Sequence, residues 1–390
     1  MSSRALRLLT VVVLLSSHSA SAADLTSPMK IVEEIRGLTF SAPVKQETMS
    51  RIALRGYLEE QIGIGTGMPP QEYVAVLRAL YLIDDAPRPL ESLLDLYEAQ
   101  VLAFYDPAVH TFFSLSEPPA GVPMNQTLEE AVVIHELTHA LQDQRFEAGA
   151  RIEKVKKEWD GSLAYLALLE GEATAVMLSR LASAGGASLD MLLRSQELID
   201  GLASAASASV GVAADAPPYF VASLKFPYLE GIRFVIEAYR RGGWKLVDEI
   251  HARPPTTTRE ILHPATYFQP SPPLLSSNGD RRAAGSATSK MRALSLGEFH
   301  WRFLLGADAA RGWRWDEVRL MATGAGRKNV LVLSEWDSEH DASEFHTAYV
   351  KLLRAKGATV ESSVRATRVR LAYGRSRREV RRLFQSGDPR

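Results

Sequence analysis

The chain has 390 residues, 46% of them hydrophobic and 23% charged, with a formal net charge of −1 and no cysteine. That is enough apolar material for one large globular domain plus a smaller one, and the near-neutral balance leaves no electrostatic footprint for nucleic acid. Without cysteine there are no disulfide staples, no thiolate metal site and no lipid-anchored cysteine.

At the N-terminus, Arg4 and Arg7 precede the apolar run Leu8–Leu15 and the small-residue pattern Ala20-Ser21-Ala22. This predicts a secretory signal peptide over residues 1–22. The run is well short of the ~20 apolar residues that span a bilayer, and no later segment reads as a span. The expectation is an exported protein, periplasmic or extracellular, with no transmembrane span after cleavage. No sequence pattern specifies an oligomeric state.

Residues 24 to about 100 carry helix-period apolar positions, such as Tyr73, Val76, Leu77, Leu80 and Leu93, Leu94, Leu96, Tyr97, broken at Pro69-Pro70 and Pro87. Val101–Tyr105, the turn signal Asp106-Pro107 and Thr111–Phe113 predict a β-hairpin. A helix is expected from Thr127, where Thr127–Glu130 fits a capping box, to about Gln144. It is apolar nearly all round, which predicts burial. A second helix is expected from near Asp160, read as its N-cap, to about Leu181.

Residues 183–217 are Ala/Ser/Gly-rich around one amphipathic stretch, Leu189–Leu202, and read as a loosely packed excursion. A further helix is expected over Leu229–Arg240, and the Pro- and Ser-rich stretch 265–292 reads as a linker. Beyond it, strands are expected at Val318–Ala322, Asn329–Glu335 and Arg365–Ala372, with a helix over Asp341–Lys356. The predicted fold class is α+β: a predominantly helical domain over 23–292 with a short β-hairpin, and a small α+β module over 293–390.

The chemistry is concentrated in His135-Glu136-Leu137-Thr138-His139. On a helix, four residues at ~100° each bring two histidines within ~40° and about one turn of each other, so both imidazoles reach one ion. Burying two histidines and a glutamate is costly unless they are paired or metal-bound. The HExxH pattern points to zinc, with Glu136 placed to hold a water as general base. A catalytic zinc needs a third protein ligand and an open position. No histidine sits six residues beyond His139, which leaves the acid cluster Leu169-Glu170-Gly171-Glu172-Ala173-Thr174 on the second helix.

HELTHALQDQ followed by EGEAT resembles the gluzincin group of metallopeptidases. The resemblance implies a zincin-like fold, with Glu170 as third ligand and Glu172 as a neighbour or a solvent-facing acid. Where many gluzincins have an aspartate orienting a zinc histidine, this chain has Thr174. Looser marks also resemble a bacterial family of exported gluzincin-like proteins: Leu96–Gln100, Phe104–Pro107, Phe226-Pro227-Tyr228 with Glu230-Gly231, Pro254–Thr258 with Ile261–Pro264, and Trp336–Ser338. Together they cover most of the mature chain.

What the resemblance implies is a zinc-dependent hydrolase of peptide bonds acting on a peptide or protein. Glu136 is the base, and Tyr228 and His263 are candidates to stabilise the oxyanion. The Phe104-Tyr105 strand is a candidate cleft edge for an extended peptide. The rival readings are an envelope binding or assembly protein with a structural zinc site, and a zinc hydrolase of a non-peptide amide. His110, His251, His300, His340 and His346 lack partner spacing and read as surface or structural.

Overall fold

The sequence resolves into helices α1 (Thr26–Arg36), α2 (Arg51–Thr66), α3 (Pro70–Ala79) and α4 (Pro89–Gln100), with strand β1 (Lys45–Met49) between the first two. Strands β2 (Ala103–Asp106) and β3 (Thr111–Leu115) follow, then helices α5 (Gln126–Phe146), α6 (Ala148–Val155), α7 (Trp159–Ala184), α8 (Leu189–Leu193) and α9 (Pro218–Ala252). These come from a computed structural model, which describes residues 24–85, 87–117, 126–193, 216–269, 291–322 and 328–386. The expected signal-peptide segment, most of the expected 183–217 excursion and most of the expected linker lie outside the described residues.

Two compact units divide the chain: one holds residues up to 71, 86–157 and 161–256, and the other holds 72–85, 158–160 and 257–390. The second unit thus starts ahead of the boundary expected at residue 292.

In the first unit, α5 is buried on almost every side, as its all-round apolar pattern requires. Its Ala131, Val132, Ile134, Leu137 and Leu141 share a core with Val32 of α1, Ala103 of β2, Phe112 of β3, and Val176 and Met177 of α7. The hairpin forms as predicted, with β2 and β3 antiparallel and Tyr105 opposite Phe112. Asp106 shapes the turn by accepting the Ala108 N–H on its side chain at 2.9 Å.

Strand β1 corrects the all-helical expectation for residues 24–100. It pairs in parallel with β3, giving the order β1-β3-β2. Its sequence, KQETM, is too polar to show strand periodicity, and its pairing is made across a long sequence separation.

Helix α7 is long and apolar enough to cross a membrane by length and composition, contrary to the expectation that no segment after the N-terminus is. Its most apolar window is 78% buried inside the protein, so that surface is used in core packing. The helix expected over Leu229–Arg240 is longer than predicted. Helix α9 accommodates Pro227 and bends at Gly242 and Gly243, where Gly243 has a left-handed backbone (φ 65°).

The second unit continues through α10 (Thr258–Leu262), α11 (Pro264–Phe268), β4 (Met291–Leu294), α12 (Gly297–Leu305), α13 (Ala307–Ala310), β5 (Trp313–Ala322) and β6 (Lys328–Trp336). It closes with α14 (Glu339–Ala355), β7 (Thr359–Arg365), β8 (Arg368–Gly374) and α15 (Arg377–Gln385). Its sheet has the order β4-β5-β6-β8-β7 and is antiparallel throughout.

The single strand expected at Arg365–Ala372 is a hairpin, because the polar run of β7 hides its period. Residue alternation in the sheet assigns its two faces. On one, Phe345 of α14 stacks on Trp336 and Tyr349 meets Tyr373; on the other, Val380 and Leu383 of α15 cover Leu331 and Ala372. Helix α11 occupies part of the stretch read as linker. Asp160 does not act as the expected N-cap: α7 begins at Trp159, and Asp160 Oδ1 accepts from the Thr258 N–H at 3.0 Å and the Thr258 hydroxyl at 2.5 Å.

Candidate functional site

The local sequence of α5 places His135 and His139 one turn apart, and the packing of α7 against α5 in a shared core brings a third donor to them. His135 Nε2 lies 3.2 Å from His139 Nε2 and 3.2 Å from Glu170 Oε2, while His139 Nε2 is 3.5 Å from the same oxygen. All three side chains are at most 2% exposed. Together they form a group that could hold a metal ion.

The spacing fits this use. A four-coordinate divalent ion bound at about 2.0–2.1 Å separates its donors by about 3.3 Å. Glu170 Oε1 has no hydrogen-bond partner among the described residues. Burial acts to raise Glu170, but the two imidazoles beside it, His139 first, outweigh burial and hold the carboxyl down at about 2.

Glu136 is fully buried beside this group. Its Oε2 accepts the backbone N–H of Tyr105 in β2 at 3.0 Å, and its Oε1 has no partner among the described residues. Burial first, and then the Glu170 carboxylate, push its proton affinity well above the ordinary carboxylate range, against the opposing Tyr105 bond. A cation held by the three donors acts in the opposite sense. The outer edge of β2, expected as a cleft edge, therefore has its Tyr105 N–H turned to the candidate base.

Around these groups runs a buried polar shell that the sequence did not reveal. His139 Nδ1 lies 2.7 Å from Gln142 Oε1, and Gln142 Nε2 donates to Leu169 O at 3.0 Å and to Glu172 Oε2 at 2.8 Å. Glu172 Oε1 accepts Arg36 Nε at 2.6 Å, and its Oε2 is 2.6 Å from His251 Nε2. Arg36 also reaches Asp248 at 2.5 Å and lies over the Trp244 ring, while His251 stacks on Phe146 with centroids 4.1 Å apart.

Glu172 is therefore a neighbour of the site, not a solvent-facing acid. Burial opposes its charge, but Arg36 and His251 hold its carboxyl well below the ordinary range. His251, read as surface or structural, is a buried member of this shell. Gln142, three residues after His139 on the same helix, could have been found from its spacing. Arg36 and His251 join only through the tertiary fold.

Tyr228 of α9 lies against His135, with ring centroids 6.3 Å apart and planes at 27°. The approach of α9 is set by two glycines. A Cβ on Gly171 would meet Gly231 O at 2.2 Å, and one on Gly231 would meet Ala167 O at 2.1 Å. Gly171, between Glu170 and Glu172, is thus required by backbone contact. Gly171→Ala is expected to lower stability by about 1–3 kcal/mol through overpacking and to weaken metal retention. Denaturant titration of the metal-free protein reads the first effect, and an unchanged midpoint would contradict it.

Elsewhere, His110 Nδ1 is 2.8 Å from Asp143 Oδ2, which also accepts the Tyr105 hydroxyl at 3.0 Å. His263 lies in the second unit, where its Nε2 is 2.7 Å from Glu298 Oε1. Thr174 Oγ1 and His135 Nδ1 each lack a hydrogen-bond partner among the described residues.

Residues 285–388 match the model of a domain of unknown function (DUF8575), a span that coincides with most of the second unit and includes none of the donors above. No curated protein and no solved structure gave a match.

Proposed function

We propose that the protein is an exported zinc metallopeptidase of gluzincin type, with His135, His139 and Glu170 as metal ligands and Glu136 as general base. The observation that carries this reading is the convergence of three buried donor atoms, 3.2–3.5 Å apart, beside a buried acid with one oxygen lacking a partner among the described residues. Two imidazoles and one carboxylate form a donor set suited to zinc, and three protein ligands leave a fourth position for substrate or water, as in catalytic rather than structural sites. The zincin-like assignment of the helical unit rests on the same helix pair and on the HExxH resemblance.

When bound, zinc supplies Lewis acidity that polarises a carbonyl and lowers the pKa of a water towards ~7. The remaining work belongs to the chain. Glu136 Oε1 takes a proton from the attacking water and passes it to the leaving amine. The Tyr105 N–H orients that carboxylate by holding its other oxygen. Tyr228, against His135, is the donor we assign to the developing oxyanion. Burial of the ligands and the base strengthens each of these interactions. Export rests on the N-terminal pattern of residues 1–22.

The test is incubation of the purified protein with a diverse peptide mixture. Cleavage is expected with zinc, is expected to stop on addition of a chelator, and is expected to return when zinc is restored. Cleavage indifferent to the chelator, or none by zinc-loaded protein, contradicts the reading.

A further inference from the structure

We propose that Gln142 is a positioning residue for the metal centre: it fixes the tautomer of His139, and the buried Arg36–Glu172–His251 cluster holds its amide in place. The proposal rests on the reading above only in taking His139 as a ligand.

The Leu169 carbonyl oxygen can only accept, and Gln142 faces it at 3.0 Å, so the atom there must be the amide nitrogen. Glu172 Oε2, 2.8 Å from the same nitrogen, makes the same demand. The amide oxygen is then the atom turned to His139 Nδ1 at 2.7 Å, and an amide oxygen also only accepts. Nδ1 must therefore carry a proton, and in the neutral ring, the form that binds a metal, the Nε2 lone pair then faces His135 and Glu170.

Two further observations agree. With that tautomer, His139 Nε2 and Glu170 Oε2 are two acceptors 3.5 Å apart, a contact that a cation between them relieves. The other imidazole lacks this support, since His135 Nδ1 has no hydrogen-bond partner among the described residues. Orientation of the ligand set thus falls on Gln142. The same amide ties α5 to α7 at the residue preceding Glu170, so one side chain serves two of the three donors.

Glu172 supplies the rigidity. It takes Arg36 from α1 on one oxygen and His251 from α9 on the other, and both guanidinium and imidazole are buried. Three helices besides α5 therefore meet on the carboxylate that Gln142 bonds. Partners that orient metal-bound histidines typically contribute 10–100-fold to metal affinity.

Long-range proton–nitrogen spectra of the histidine rings, recorded on the metal-free protein at a pH where imidazoles are neutral, test this directly. The wild type is expected to show His139 protonated at Nδ1. Gln142→Met is expected to lose that preference and to bind zinc 10–100-fold more weakly in competition with a chelator.

His139 protonated at Nε2 in the wild type overturns the proposal, and that measurement needs no variant. A folded Gln142→Met protein with wild-type tautomer and zinc affinity overturns it too. The expected tautomer and affinity loss in a protein that cleaves no peptide support the positioning role while removing the peptidase reading.

Discussion

Replacing Glu136 by glutamine is expected to lower kcat for peptide cleavage by about 10²–10⁴, the usual contribution of a positioned general base, with zinc content unchanged. The side chain is fully buried and points one oxygen at the Tyr105 N–H. Glutamine keeps the size and an acceptor for that N–H, so the fold is expected to survive. What it loses is the second carboxylate oxygen, the one with no partner among the described residues and the one assigned to take the proton.

Because Glu136 is not among the three converging donors, its removal separates metal binding from turnover. Steady-state kinetics beside metal analysis of the same preparation reads both. A variant that cleaves as fast as wild type contradicts the assigned role, and one that loses its zinc makes Glu136 part of the binding set.

Arg36→Met is expected to cost stability on the scale of a broken buried ion pair, about 3–5 kcal/mol. Arg36 and Glu172 are paired at 2.6 Å with side-chain exposures of 0% and 1%, so the glutamate left behind has no route to water. Gln142 and His251 remain as its donors, which places the expected loss toward the lower end of that range. The paired substitution Arg36→Met with Glu172→Gln removes the uncompensated charge and is expected to recover much of the loss. Denaturant unfolding of the metal-free proteins measures this without interference from ligand-linked stability. A single variant within about 1 kcal/mol of wild type, the scale of an exposed ion pair, contradicts the account.

The parts of the fold legible in the sequence are those whose signal is local. Helix α5 announces itself by continuous apolar residues interrupted only by the HExxH groups. The β2–β3 hairpin is marked by Asp106-Pro107 between aromatic runs. The grouping of His135 with His139 follows from helical geometry alone, and a second apolar helix with acids in its middle offers the third ligand, while the choice of Glu170 over Glu172 follows from the gluzincin resemblance.

What the sequence concealed depends on contacts between distant segments. Strand β1 consists of Lys, Gln, Glu, Thr and Met and owes its conformation to pairing with β3. Arg36 lies 136 residues from the glutamate it neutralises. Gly171 and Gly231 look like helix weaknesses in isolation, and only the crossing of α7 with α9 shows that each replaces a side chain that would collide with backbone. Asp160, a good N-cap by residue type, is instead committed to Thr258, because a buried carboxylate takes whichever donors the tertiary structure offers.

Two imidazoles of one helix and a carboxylate of another are expected to bind a divalent cation and leave one position open. X-ray absorption at the zinc edge, on protein carrying one equivalent of zinc after gel filtration, tests it most directly. The predicted first shell has two imidazole nitrogens and two oxygens at about 2.0–2.1 Å, with one of those oxygens exchangeable. Zinc lost during gel filtration, or a shell without imidazole nitrogen, would contradict the claim.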